Sequence, residues 1–193
     1  MEQLKGLLIL YSVILGMNIL FNALLWYKTS NRFYKVLCLA WLGIFIVFVL
    51  HGVTAELPPI YRVIPSVLGI LAPLMLAKLL ALIIQIPFRW QRYVALEFVG
   101  VSLTLFLHVL GVDINWAINP ANMTFVAPVI VVCFQISTRY RDRLTFMSAC
   151  FMASTFLWAL HVLDYAYAID KPEWMFAGFT LALGLFCAMT TFS

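Results

Sequence analysis

The run Phe156-Leu157-Trp158-Ala159-Leu160-His161-Val162-Leu163-Asp164-Tyr165 decides the fold. It is apolar or aromatic except at His161 and Asp164, three residues apart. On a helix that spacing puts both side chains on one face. Ionisable groups at such depth in a bilayer are costly against lipid, so they are expected to face protein, a partner or water. The surrounding stretch, Leu144–Ala166, is long enough to cross a hydrocarbon core as a helix, which takes about 20 residues.

The same pattern recurs outward from this run. The chain of 193 residues is 65% hydrophobic and 10% charged, with a mean hydropathy of +1.03. A soluble domain of this size cannot cover that much apolar surface. Seven stretches read as membrane spans: Leu4–Tyr27, Phe33–Thr54, Pro65–Ile86, Val94–Val112, Asn122–Ser137, Leu144–Ala166 and Trp174–Ser193. The N-terminal Met1-Glu2-Gln3-Leu4-Lys5 leads into the first of them without a small-residue cleavage site, so span one is expected to be retained. In hydrocarbon every backbone polar group must be satisfied internally, which leaves helices or a closed barrel. These runs are too uniformly apolar for alternating barrel strands. The expected fold is an all-α membrane protein, a single seven-transmembrane-helix bundle over residues 1–193.

Charge then sets orientation. Lys28, Arg32 and Lys35 lie between spans one and two, Arg89 and Arg92 between three and four, and Arg139, Arg141 and Arg143 between five and six. The alternate loops carry Glu56 with Arg62, then Asp113, then Asp170, Lys171 and Glu173. Cytoplasmic loops are the basic ones, so the N-terminus is expected outside and the C-terminus in the cytoplasm. The net charge of +4 is thereby assigned to the inner membrane surface, and no nucleic-acid partner is expected. Trp26, Tyr27, Trp90, Tyr93, Trp116, Tyr140 and Trp174 fall at span ends, as interfacial aromatics do. Cys38, Cys133, Cys150 and Cys187 lie inside spans without a CxxC spacing and read as buried free thiols.

His51, His108 and His161 are all the histidines of the chain, and each closes an outward-running span. With Asp164, and with Glu56 about a turn further out, they form an expected polar layer beneath the outer surface. Three uses are open to it: separate interhelical hydrogen bonds, a ligand- or proton-sensing pocket, or a divalent metal site of imidazole and carboxylate. His51, His108, His161 and Asp164 are the candidate ligand-binding residues; no cofactor is expected. Deeper, Lys78 in span three and Glu97 in span four enter from the same side, and a structural ion pair between them would neutralise both. Asn18 and Asn22 share a face of span one, as if for docking on span two or seven. Pro73 and Pro128 are expected to kink spans three and five.

A weak repeat runs through these features. Leu50-His51, Leu107-His108 and Leu160-His161 end spans two, four and six, while Ala72-Pro73 and Ala127-Pro128 recur in spans three and five. One leading helix followed by three related hairpins is the layout this implies.

The segment Trp158-Ala-Leu-His161-Val-Leu-Asp164-Tyr165, followed by Pro172, Trp174 and an apolar last span, resembles the end of the multi-pass N-terminal sensor region of bacterial sensor histidine kinases and diguanylate cyclases. Ala23-Leu-Leu-Trp26-Tyr-Lys28, then Arg32-Phe-Tyr34-Lys-Val-Leu and Trp41, is similar to that region's first hairpin. The resemblance implies a multi-pass protein of the bacterial inner membrane, in contact with lipids and a small-molecule ligand. Its last span would carry the signal to a cytoplasmic enzyme, and it would dimerise through the parent kinase. The chain carries no linker, PAS, kinase or cyclase segment before Ser193, so it reads as a non-enzymatic sensor piece ahead of such an effector. The alternatives are a small transporter or channel and an intramembrane metal-dependent hydrolase.

Overall fold

The computed structural model describes residues 2–54 and 57–168, together with Thr180 and Gly184. Among the described residues up to Ala168, eight α-helices follow one another: α1 (Glu2–Thr29), α2 (Arg32–Thr54), α3 (Ile64–Gly69), α4 (Leu71–Ile84), α5 (Trp90–Val109), α6 (Ile114–Ala117), α7 (Asn119–Arg139) and α8 (Phe146–Ala168). Among the described residues there is no strand. Among the described residues, six helical segments are long and apolar enough to cross a membrane: Leu10–Thr29, Arg32–Leu50, Ile64–Ile84, Trp90–Val109, Ile114–Arg139 and Phe146–Leu163. The expected seventh, Trp174–Ser193, lies outside the described residues apart from Thr180 and Gly184, which are both helical.

Polar residues at the loops start the helices. The Asn31 side chain accepts the Phe33 amide at 2.9 Å ahead of α2. The Asp113 carboxylate accepts the Asn115 amide at 2.9 Å and caps α6. At α8 the bonds are reciprocal: the Thr145 amide donates to Ser148 Oγ at 2.8 Å, and the Ser148 amide donates to Thr145 Oγ1 at 3.2 Å. Each bond satisfies a backbone donor at a helix start.

Helices α4 and α7 form the centre. Leu76, Leu79 and Leu80 of α4 and Val126, Val129, Val132 and Ile136 of α7 are buried in one apolar core. Helix α2 and helix α8 pack on this centre, α1 packs on α2, and α5 packs on α7. The peripheral helices turn apolar side chains outward: Met17, Leu20 and Phe21 on α1, and Phe98, Val99 and Phe106 on α5. These faces suit lipid. Helices in lipid gain little by hiding leucine, so small residues that let backbones approach decide where they touch. Gly43 of α2 lies against the backbone of Leu71 and Ala72, Gly69 of α3 against Val47, and Gly100 of α5 against Pro120 and Thr124.

Span three breaks at Ile70, between α3 and α4, one turn ahead of Pro73, where a proline's missing N–H and its clash with the i−4 carbonyl interrupt a helix. Pro73 then falls in the first turn of α4, where its missing N–H has no helical acceptor to lose. Span five runs through Pro128 as one helix, Asn119–Arg139, longer than the expected Asn122–Ser137. Pro120 explains the earlier start, because its fixed φ suits a first helical turn. The chain segments α2–α3–α4 and α5–α6–α7 share an order: a long helix, a short helix, then a long helix carrying Ala-Pro. In both, the glycine eight residues before the histidine, Gly43 or Gly100, meets the partner helix.

The loops at the basic end are tied together. Gln85 ends α4 in the left-handed conformation (φ 58°) that usually falls to glycine. The Arg143 guanidinium donates to the Ile84 and Gln85 carbonyls, both at 3.3 Å, and lies 5.2 Å from the Tyr140 ring centroid. A cation at a helix C-terminus also complements the helix dipole. Arg143→Ala is expected to lower stability by about 1 kcal/mol, the exposed position discounting a charged hydrogen bond. Denaturant titration in micelles measures this, and Arg143→Lys should retain part of the effect.

Candidate functional site

The candidate histidines lie toward the helix ends away from the loops that Arg143 joins: His51 and His108 in the last turns of α2 and α5, and His161 in the second half of α8. His108 is exposed, and His161 is half-buried and engaged in an interaction with its surroundings. His51 and Asp164 are helical, but their side chains, like all of Glu56, lie outside the described residues. Among the described residues no group of three or more His, Cys, Asp or Glu side chains could hold a metal ion. Beneath this end, Val63, Ile114, Ala117 and Ile118 close the bundle as a small apolar cluster with Ile60, Val101 and Leu107.

The expected Lys78–Glu97 ion pair is not formed. Glu97 is buried, 4% exposed, and neither carboxylate oxygen has a hydrogen-bond partner. The reason is topological. The two residues approach from the same end, on α4 and α5, but α5 packs chiefly on α7 and not on its hairpin neighbour α4. Glu97 is therefore turned into the α5–α7 interface, while Lys78 stays half-buried on α4.

That interface is polar where the rest of α5 is apolar. The buried residues of α5 are Glu97, Gly100 and Thr104, one turn apart on one face. Thr104 Oγ1 accepts the Ala121 amide at 3.2 Å. Ala121 is in the first turn of α7, so α5 supplies a cap that α7 lacks in its own sequence. Thr124 Oγ1 spends its proton on the Pro120 and Ala121 carbonyls, both at 3.0 Å. On the other side of α7, Asn122 Oδ1 accepts from Ser66 Oγ of α3 at 3.5 Å, and its buried Nδ2 has no partner. The spacing of Glu97, Gly100 and Thr104 in an otherwise apolar run is the sequence signal that could have found this stripe. The bond of Thr104 to α7 had no such signal, because a helical threonine usually bonds its own helix, as Thr155 does to the Phe151 carbonyl at 2.8 Å.

Asn18 and Asn22 donate to the Ile14 and Asn18 carbonyls of α1 at 2.9 and 2.8 Å, with Asn22 buried, in keeping with a docking face. Cys38, Cys133 and Cys150 are free, and Cys187 lies outside the described residues. No protein-family model, curated protein or solved structure matches the chain.

Proposed function

We propose that this chain is the signal-sensing domain of a multi-pass protein of the bacterial inner membrane. Its N-terminus is outside and its C-terminal helix, the seventh, runs to the cytoplasm. It is non-enzymatic, and it relays an outside signal to a cytoplasmic signalling enzyme such as a histidine kinase or diguanylate cyclase. The single observation that carries this reading is the division of the bundle into two ends. Arg143 holds the α4–α5 and α7–α8 loops together at the basic end, while the last turns of α2 and α5 carry histidines at the other. Basic loops at one end support the assigned orientation. Imidazoles titrate near neutral pH, so protonation or ligation at the outer end can bias helix packing. The close-packed apolar core favours a relay over a pore. Tyr11 Oη lies 2.8 Å from Thr180 Oγ1, which gives the C-terminal segment a contact with α1 through which a shift can pass.

The test is a fusion of the full chain to a cytoplasmic kinase reporter in cells, with external pH steps across the range in which histidine titrates. The expected result is a pH-dependent output that falls at least tenfold in His161→Ala and in Asp164→Ala. Unchanged responses in both variants would discard the outer site, and a reporter active only on the outer side would discard the orientation.

A further inference from the structure

We propose that Glu97 is an intramembrane proton-binding site, a carboxylic acid buried in the α5–α7 interface whose proton occupancy sets how α5 packs. This goes beyond the sensing reading and does not depend on it.

Several observations meet at this residue. Glu97 is more than nine-tenths buried with both oxygens unpartnered. Its polar neighbour on α7 is the Thr124 side chain, which makes no hydrogen bond to either carboxylate oxygen. The Thr124 hydroxyl has already given its proton away. Pro128 has no N–H to offer the Thr124 carbonyl, its acceptor in an unbroken helix. Beside these acceptors the carboxyl needs a donor. An ionised carboxylate there would be uncompensated in a low-dielectric interior. A metal cation would supply the charge but needs several oxygens and room for them. The packing denies that room: a methyl at Gly100, one turn on from Glu97, would overlap Thr124 and lie 2.8 Å from the Pro120 carbonyl oxygen. A proton is the cation that takes no space.

The elements around α5 bring few charges. Helix α3 and helix α6 contain no charged residue, α7 contributes the buried Cys133 and the terminal Arg139, and α4 contributes Lys78. On α5 itself Arg92 and Tyr93 lie toward the basic end and His108 at the other. None of these is hydrogen-bonded to the Glu97 oxygens. Most other α5 side chains are exposed, so this stripe of Glu97, Gly100 and Thr104, with Val101 and Leu107 beside it, holds the helix to the bundle. Loss of the proton leaves two ways to satisfy the carboxylate: α5 draws off α7 and admits water, or Lys78 is brought across. Either moves α5.

The experiment uses the full chain in lipid vesicles. Infrared difference spectra between acid and alkaline buffer should show the carbonyl stretch of a protonated, buried carboxylic acid that vanishes on ionisation. Glu97→Gln, close to isosteric with the acid, should lack that band. In parallel, the folded state holds a proton that the opened state releases, so the thermal midpoint should fall as pH rises. The expected fall is about 3–5 °C per pH unit across the range in which Glu97 ionises, with a flat profile in Glu97→Gln. Lys78→Met should leave the band in place. A band unchanged by Glu97→Gln, matching thermal profiles in the two proteins, or a band that appears only once Lys78 is removed would each overturn the site. The last outcome would mean an ion pair. Because these measurements use no signalling output, they succeed or fail separately from the histidine test.

Discussion

Gly43→Ala is expected to destabilise the protein by about 3 kcal/mol, the upper part of the range for overpacking. The new Cβ would stand 2.5 Å from the Ala72 amide nitrogen, 2.7 Å from its Cα and 3.0 Å from the Leu71 carbonyl carbon. All three are backbone atoms, so no side chain can rotate away; α2 and α4 must separate. Lipid offers no relief, because the cost is steric. Alanine's better helix propensity returns only about 1 kcal/mol. Gly16→Ala is the control: among the described residues nothing lies within 4 Å of its Cβ position, so it should be neutral or mildly stabilising. Reversible unfolding in mixed micelles measures both. A neutral Gly43→Ala would mean that α2 and α4 do not cross at this point.

Leu76→Ala carries the second large effect. In a water-soluble core such a truncation costs about 2–5 kcal/mol, from lost transfer energy plus the cavity left behind. In a bilayer the first term largely disappears, because lipid is as apolar as leucine. The cavity and the lost dispersion contacts remain, so about 2 kcal/mol is expected. Leu76 is 0% exposed at the centre of α4, whereas Leu103 on α5 is 45% exposed toward the lipid side. Leu103→Ala should therefore change stability by only a few tenths of a kcal/mol, lipid tails filling the vacated space. Equal losses at the two positions would contradict the assignment of α4 to the centre and α5 to the rim.

The candidate sites divide in the same way. The histidines are candidates by counting alone: each lies near the end of a run whose length a bilayer fixes, and counting along the chain gives an expected depth. The Lys78–Glu97 pair was misread for the same reason: counting gives depth but not azimuth. Both residues enter from one end, yet Glu97 turns to α7. The bond of Thr104 to α7 was invisible because the donor it satisfies, the Ala121 amide, belongs to another helix.

The sequence by itself determined that the chain is helical, that it crosses the membrane repeatedly, and that its basic loops fall on alternate connections. Hydropathy, run length and loop charge are properties of consecutive residues, and the bilayer reads them one span at a time. Only the tertiary structure decided which helices are central, where span three breaks, which glycines mark crossings, and that Glu97 is buried without Lys78. In a soluble protein one face of a helix is polar and points away from the core. Here the face toward lipid and the face toward protein are equally apolar, as Leu103 and Leu76 are, so no periodicity in the chain distinguishes them.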